Sequence, residues 1–151
     1  MLVRREIESL IAAPIIRAFS EKFGKEETEI TVRDVIQGLS HESGKMLAAF
    51  CGGNSLNDLK KGLPLFSQGG ALEFEILNTD DTEIRLNITR CRYAEMYKNN
   101  GLAEFGYLLS CNRDYALIKG FNPDITFTRK QTIMEGADYC DFCFSVKKDK
   151  E

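Results

Sequence analysis

Leu72-Glu73-Phe74-Glu75-Ile76-Leu77-Asn78-Thr79-Asp80-Asp81-Thr82-Glu83-Ile84-Arg85-Leu86-Asn87-Ile88 decides the fold class. Leu72, Phe74 and Ile76 alternate with Glu73 and Glu75, and Ile84, Leu86 and Ile88 alternate with Arg85 and Asn87, the period of strands with one face in a core. The polar run Asn78-Thr79-Asp80-Asp81 between them supplies the turn of a hairpin. Upstream, residues 1–70 carry the period of a helix. Ile7, Leu10, Ile11, Ile15, Phe19 and Phe23 recur at steps of three and four with Arg and Glu between them, which predicts a helix, kinked or restarted at Pro14. Gly24 and Lys25-Glu26-Glu27 end that segment. Thr31, with Asp34 three residues on, predicts the cap of a second helix carrying Val35, Ile36, Leu39, Met46, Leu47 and Phe50, closed by Gly52-Gly53. A short third helix, capped by Asn54 or Ser55, runs through Lys61 and is stopped by Gly62-Leu63-Pro64.

Downstream of the hairpin, helical spacing returns over Tyr93–Asn100 and Leu102–Lys119, with Phe105, Leu108, Leu109 and Ala116 inward. A strand through Ile125, Phe127 and Ile133 follows, then a turn at Glu135-Gly136-Ala137-Asp138 and a last strand holding Cys140, Phe142, Phe144 and Val146. The tail from Lys147 to Glu151 is expected to fray. The order hairpin, helices, hairpin predicts an α+β fold, with N-terminal helices followed by a mainly antiparallel four-stranded sheet packed against helices. One domain over 1–151 is expected, with a helical part at 1–70 and a sheet-and-helix part at 71–146.

Charge and composition exclude several classes of function. The chain has 151 residues, 20 Lys+Arg against 23 Asp+Glu and one His, for a formal net charge of -3. No basic surplus exists to neutralise phosphates, so nucleic acid is not an expected partner. Apolar runs stop well short of the ~18 residues that span a bilayer, and Met1-Leu2-Val3-Arg4-Arg5 opens an amphipathic pattern rather than an export signal. A soluble, cytoplasmic protein without a membrane partner is expected. Five cysteines at irregular spacing do not make a disulfide scaffold, which leaves reduced thiols able to carry chemistry.

The candidate residues follow from spacing. Cys111 and Asp114 lie three apart on a predicted helix and share a face; the bland reading is a small buried hydrophobe beside a solvated charge. Cys91 is flanked by Arg90 and Arg92, whose charges would favour a thiolate, against the alternative of a buried strand end. Cys140 and Cys143 have the C-x-x-C spacing of metal and redox sites, but a strand turns positions three apart to opposite faces. Asp141 interrupts an apolar strand and needs a cationic or hydrogen-bonding partner there. His41 is the only imidazole, so a Cys-His or Ser-His-Asp mechanism has to use it. Ser43-Gly44-Lys45-Met46 lacks both the upstream glycine and the hydroxyl of a phosphate loop, which rules out that nucleotide site.

Arg90-Cys91-Arg92-Tyr93-Ala94-Glu95-Met96-Tyr97, Gly101-Leu102-Ala103-Glu104-Phe105-Gly106, Cys111-Asn112-Arg113-Asp114, Phe121-Asn122-Pro123-Asp124 and the run from Arg129 to Phe142 stand in order between Thr89 and Phe144. Together they resemble the signature of the L-2-amino-thiazoline-4-carboxylate hydrolase family, with Cys143 where an Arg is expected. The resemblance implies hydrolytic opening of a cyclic isothiourea to N-carbamoyl-cysteine. It implies that Glu95, Asp114 or Asp141 grips the amidinium-like end of the substrate and that Arg92 or Arg129 pairs its carboxylate. The nucleophile is then Cys111 or Cys91 as a thiolate, or water activated by a carboxylate, with Cys140 approaching the same pocket. No cofactor is called for; if a metal binds, the three thiols with Asp114 or Asp141 form a ligand set suited to zinc. The expected partner is a small-molecule substrate, and the N-terminal helices are free to make a homodimer. The Gly-x-x-x-Cys-x-Phe pattern of Gly136, Cys140 and Phe142 is also similar to vinyl-reductase-type sensor domains of bacterial regulators, which implies a noncatalytic small-ligand-binding domain as the alternative.

Overall fold

The computed structural model describes residues 2–147, so most of the tail expected to fray lies outside the described residues. Helices α1 (Leu2–Phe23), α2 (Lys25–Cys51) and α3 (Leu56–Phe66) come first, then the hairpin β1 (Leu72–Thr79) and β2 (Glu83–Cys91). Helix α4 (Arg92–Asn99), the single turn α5 (Ala103–Gly106), a π-helical turn at Tyr107–Cys111 and α6 (Arg113–Phe121) follow, and β3 (Thr126–Thr128) and β4 (Cys140–Ser145) end the described chain. The four strands form one antiparallel sheet in the order β1-β2-β4-β3. The fold is α+β.

Local chemistry sets the element ends. Ser55 caps α3 in a reciprocal box, its hydroxyl accepting from the Asp58 amide while the Asp58 carboxylate accepts from the Ser55 amide. Gly52, in the left-handed region at φ 74°, closes α2 as its amide turns back to Ala49 and that of Gly53 to Ala48. In the hairpin turn one oxygen of Asp80 accepts from the Thr82 and Glu83 amides, 2.8 and 2.9 Å away.

Several expectations about the helices are corrected. Helix α1 runs unbroken through Pro14, which lies on the exposed side, where the carbonyl deprived of its helical donor meets water. The large apolar stripe of α1 does not face inward. Ser9, Ala13 and Ile16 are buried, while Ile7, Ile11, Ile15 and Phe19 are all more than half exposed. Small residues make the inner face because α1 lies close on α4, where the Ser9 hydroxyl donates to Glu6 O and approaches Met96 Sδ at 3.7 Å. Thr31 does not cap a second helix. Helix α2 starts directly after Gly24, and the Thr31 hydroxyl bonds back to Glu27 O inside it. Val35, Leu39, Met46 and Phe50, carried by α2 as expected, lie on its exposed side. Helix α3 continues past Lys61 to Phe66 with Pro64 in its last turn, and the helix expected over Leu102–Lys119 is broken by the π turn. Ile133 is in a 3-10 turn rather than a strand, because the Thr132 hydroxyl caps that turn by accepting from the Glu135 amide.

Two apolar clusters result. Ile84, Leu86, Ile88, Cys140, Phe142 and Phe144 on one sheet face pack with Leu59 and Leu63 of α3 and with Ile118 and Phe121 of α6. Ala13 and Ile16 of α1, Met96 and Tyr97 of α4, and Leu102, Phe105 and Leu109 form the second. Helix α2 spans both and crosses α6 at two glycines. A Cβ on Gly44 would stand 2.0 Å from Leu117 O, and one on Gly120 would stand 1.9 Å from His41 O.

Candidate functional site

Against the first apolar cluster, which includes Cys140 and packs on Cys91, stands a group of polar and sulfur-bearing side chains. Its centre is the π turn Tyr107–Cys111, a wide turn of a kind that recurs at functional sites. The start of α6 is fixed from α2. Asn112, 6% exposed, accepts from Gln37 Nε2 at 2.9 Å and donates to Arg33 O, and the Ser40 hydroxyl donates to Arg113 O at 2.8 Å. These ties aim Cys111 and Asp114, one turn apart, toward the end of β3.

Arg129 meets them there. Its guanidinium pairs with the Asp114 carboxylate, donates to Cys111 O at 3.4 Å and to the Tyr107 hydroxyl at 3.3 Å, and lies within 5.6–5.8 Å of the ring centres of Tyr107, Tyr115 and Phe142. Only 2% of the Arg129 side chain is exposed, against 29% for Asp114. Burial pushes the Asp114 carboxyl up to about 6, against the pull of Arg129. Burial also works against the Arg129 charge, but Asp114 and Cys111 outweigh it and keep the guanidinium firmly protonated.

The charge of Asp114 acts on all three family-like thiols. Cys111 is influenced by the charges of Asp114, Arg129, Cys91 and Cys140, and Cys140 by those of Cys91, Arg129 and Asp114. None is poised as a thiolate. Burial raises Cys111 strongly and pushes Cys140 up to about 11, and it raises Cys91 despite the amides of Ala94 and Tyr93 that face its sulfur. The expected activation of Cys91 by its neighbours is therefore corrected. Arg90 turns outward to Glu95 and Glu73, and Arg92 reaches Gly69 O, while Cys91 Sγ caps α4 by accepting from the Ala94 amide. Cys140 Sγ likewise accepts from the Ile133 amide at 3.2 Å.

The other sequence candidates lie outside this cluster. Glu95 is exposed and held in a two-pronged pair by Arg90 at 2.7 and 3.2 Å. Asp141 is on the sheet face opposite Cys140 and Phe142, where one carboxylate oxygen accepts from the amides of Lys130 and Gln131, each at 2.9 Å. It clamps the loop that follows Arg129. Cys143 shares that outer face and donates to Glu83, so it diverges from Cys140. His41 is half-exposed beside Glu42, with its backbone against Gly120 at the α2–α6 crossing. Among the described residues no group of three or more His, Cys, Asp and Glu side chains is arranged to hold a metal ion.

Sequence reasoning overlooked Tyr97. Its ring is fully buried and its hydroxyl has no hydrogen-bond partner among the described residues, in surroundings that include Arg5, Arg113, Cys111 and Glu8. Burial pushes this phenol up to about 12, so it is held as a donor. Tyr97 appears in the sequence as a core aromatic, and nothing in its spacing distinguishes a satisfied hydroxyl from an orphaned one.

No helix among the described residues is long and apolar enough to cross a membrane. A family model described as L-2-amino-thiazoline-4-carboxylic acid hydrolase matches residues 4–144. No curated protein matches the chain. Among solved structures, the phenol-responsive sensory domain of the transcription activator PoxR, crystallised with phenol, is similar with a TM-score of 0.58 and 9% identity, over 95% of this chain and 76% of that one. Trafficking protein particle complex subunit 3 from Naegleria fowleri, covalently bound to palmitic acid, is similar with a TM-score of 0.57 and 7% identity, over 100% of this chain and 99% of that one. At these identities the likeness is one of fold.

Proposed function

The chain belongs to the L-2-amino-thiazoline-4-carboxylic acid hydrolase family, and we propose on that footing that it opens a cyclic isothiourea such as L-2-amino-thiazoline-4-carboxylate to N-carbamoyl-cysteine at the Cys111–Asp114–Arg129 cluster. The observation that carries this reading is the ion pair in which the buried Arg129 holds the partly open Asp114 carboxylate beside the π turn; burial pushes that carboxyl up to about 6, which suits it to take a proton from water.

In this reading Asp114 receives the cationic amidine end of the substrate and accepts a proton from the attacking water. Oxygen bonds to the ring carbon between sulfur and the two nitrogens, giving a tetrahedral intermediate. The carbon–sulfur bond then breaks, sulfur leaves as a thiolate and takes the proton held by Asp114, the hydroxyl of the intermediate gives up its proton to solvent water, and the carbon remains as a urea carbonyl. Arg129, sealed and already bonded to Asp114, Cys111 O and Tyr107, holds Asp114 in place, and Arg92 at the start of α4 is the cation that pairs the substrate carboxylate. The Tyr97 hydroxyl offers the substrate a further donor. Cys111 has a second route: its sulfur adds to the same carbon, the ring sulfur leaves, and water then displaces Cys111. That route first requires the raised Cys111 thiol to lose its proton, which an amidinium cation beside it would favour. Cys91 and Cys140 act through their caps on α4 and on the 132–135 turn, and Asp141 through the loop behind Arg129.

The test is incubation of the protein with a panel of 2-amino-thiazolines, cyclic amidines and cyclic ureas, following thiol release and product mass. Thiol release with a gain of one water in mass supports the reading. Saturable binding with no thiol released would replace it by the noncatalytic ligand-binding alternative.

A further inference from the structure

Helix α1 is apolar on more than one side, and its own chain covers one side only. Ala13 and Ile16 pack inward, yet Ile7, Ile11, Ile15 and Phe23 are 55%, 61%, 52% and 57% exposed. A helix apolar all round belongs in an interior. Of the 17 large apolar side chains exposed among the described residues, 12 are on α1 and α2. Beside the second half of α1 an open, largely apolar groove of about 410 Å³ runs between α1 and α2, with Phe19 and Phe23 on one wall and Thr28 and Val32 on the other.

We propose that α1 and this groove form an interface with a second copy of the chain. The surface is complementary to itself. The first half of α1 is a ridge, centred on Ile7 and Ile11, and the second half borders the groove. An antiparallel pairing of α1 with its symmetry mate, centred near Pro14, lays the ridge of each copy into the groove of the other, the reciprocal contact a two-fold axis requires. The same pairing brings Arg4, 83% exposed at the start of α1 and paired there with Glu8, to Glu27 on the groove's rim. The size also fits. A 22-residue helix is about 33 Å long and about 10 Å wide, so covering half of its curved surface removes about 500 Å² per copy, or about 1,000 Å² in all, the size at which a specific interface begins. A lipid surface suits the patch less well. Residues 4–29 carry six acidic and five basic side chains, whereas helices that lie on membranes surround their apolar face with Lys and Arg.

Sedimentation equilibrium of the full chain over a range of micromolar concentrations tests this. The expected result is a mass of two chains, with Ile11→Glu and Phe19→Glu each weakening association by about tenfold or more while circular dichroism stays unchanged, since both side chains are already exposed. Arg4→Glu and Glu27→Arg should each weaken the dimer, and the two together should restore it. A monomer at every concentration would overturn the proposal, and so would a dimer that all four substitutions leave unchanged. Flotation of monomer with vesicles of mixed neutral and anionic phospholipid would assign the face to lipid instead.

Discussion

Arg129 at the end of β3 and Asp114 in the first turn of α6 form an ion pair whose guanidinium is sealed from solvent while its carboxylate keeps 29% of its surface. The partly open side of the pair is therefore the carboxylate, and the buried side is the cation that positions it. This asymmetry makes Asp114, rather than Arg129, the group a small cationic ligand reaches first.

The pair predicts a pH profile. With its carboxyl raised to about 6, Asp114 should give kcat/KM an acid limb near that value. Arg129 opposes the rise, so Arg129→Gln should move the limb to higher pH by about one unit. The effect on stability has the opposite sense. A carboxyl with its folded pKa above the ordinary ~3.9 contributes most below pH about 4, and that contribution is lost as pH rises through about 6. Asp114→Asn should abolish the decline in stability across this window and lower turnover by about 10² or more. A folded Asn variant that keeps both full turnover and the limb would remove Asp114 from the reaction.

Asp141 acts at one remove, through the amides of Lys130 and Gln131. An Asn side chain retains an acceptor oxygen, so Asp141→Asn should keep turnover within a few-fold of the native protein. Asp141→Ala frees both amides, should cost about 1–2 kcal/mol in denaturant unfolding, and should reduce kcat more than Asp141→Asn does as Arg129 loses its seat. Equal losses in the two variants would point to a direct role for the Asp141 charge.

The sheet was legible because β2 and β4 show alternation that the burial reproduces, whereas β1, at the sheet edge, leaves Ile76 as exposed as Leu77. Cys140, Phe142 and Phe144 are buried while Asp141 and Cys143 between them are not. The grouping of Cys111 with Asp114 was legible for the same reason, since helical spacing alone puts them on one side. Three things were not. The outward stripe of α1 has the same period as an inward one, and only its small opposite face, Ser9 and Ala13, hints at which side packs. Arg90 and Arg92 adjoin Cys91 in sequence, but strand and helix geometry send both elsewhere. Asn112 and Ser40, which hold α6 to α2, are 72 residues apart, and no local pattern links them.

Two glycines of α2 and α6 separate packing from propensity. Gly120→Ala places a methyl group 1.9 Å from His41 O, backbone that cannot swing aside, and should cost about 2–3 kcal/mol as α2 is pushed off α6. Gly38 has nothing within 4 Å of a Cβ and sits in mid-helix, so Gly38→Ala should stabilise by about 0.5–1 kcal/mol. Thermal melts of both variants check the pair. A neutral Gly120→Ala would mean that the crossing relaxes at little cost.

Tyr97 allows binding and folding to be separated. Its hydroxyl is buried without a partner among the described residues, a condition that costs about 1–3 kcal/mol in the free protein. Tyr97→Phe keeps the ring that packs among Met96, Phe105 and Leu109 and removes only the unsatisfied oxygen. The free variant should therefore be as stable as the native protein or melt a few degrees higher, about 2–4 °C for each kcal/mol in a chain of this size. If the hydroxyl donates to the substrate, the same variant should raise KM by about tenfold, the worth of one hydrogen bond, while kcat changes little because the proton transfers at Asp114 are untouched. The combination of a higher melting temperature with weaker substrate binding is the signature of a donor held without a partner for a ligand. A lower melting temperature with unchanged KM would show instead that the hydroxyl is satisfied within the folded protein and has no part in binding.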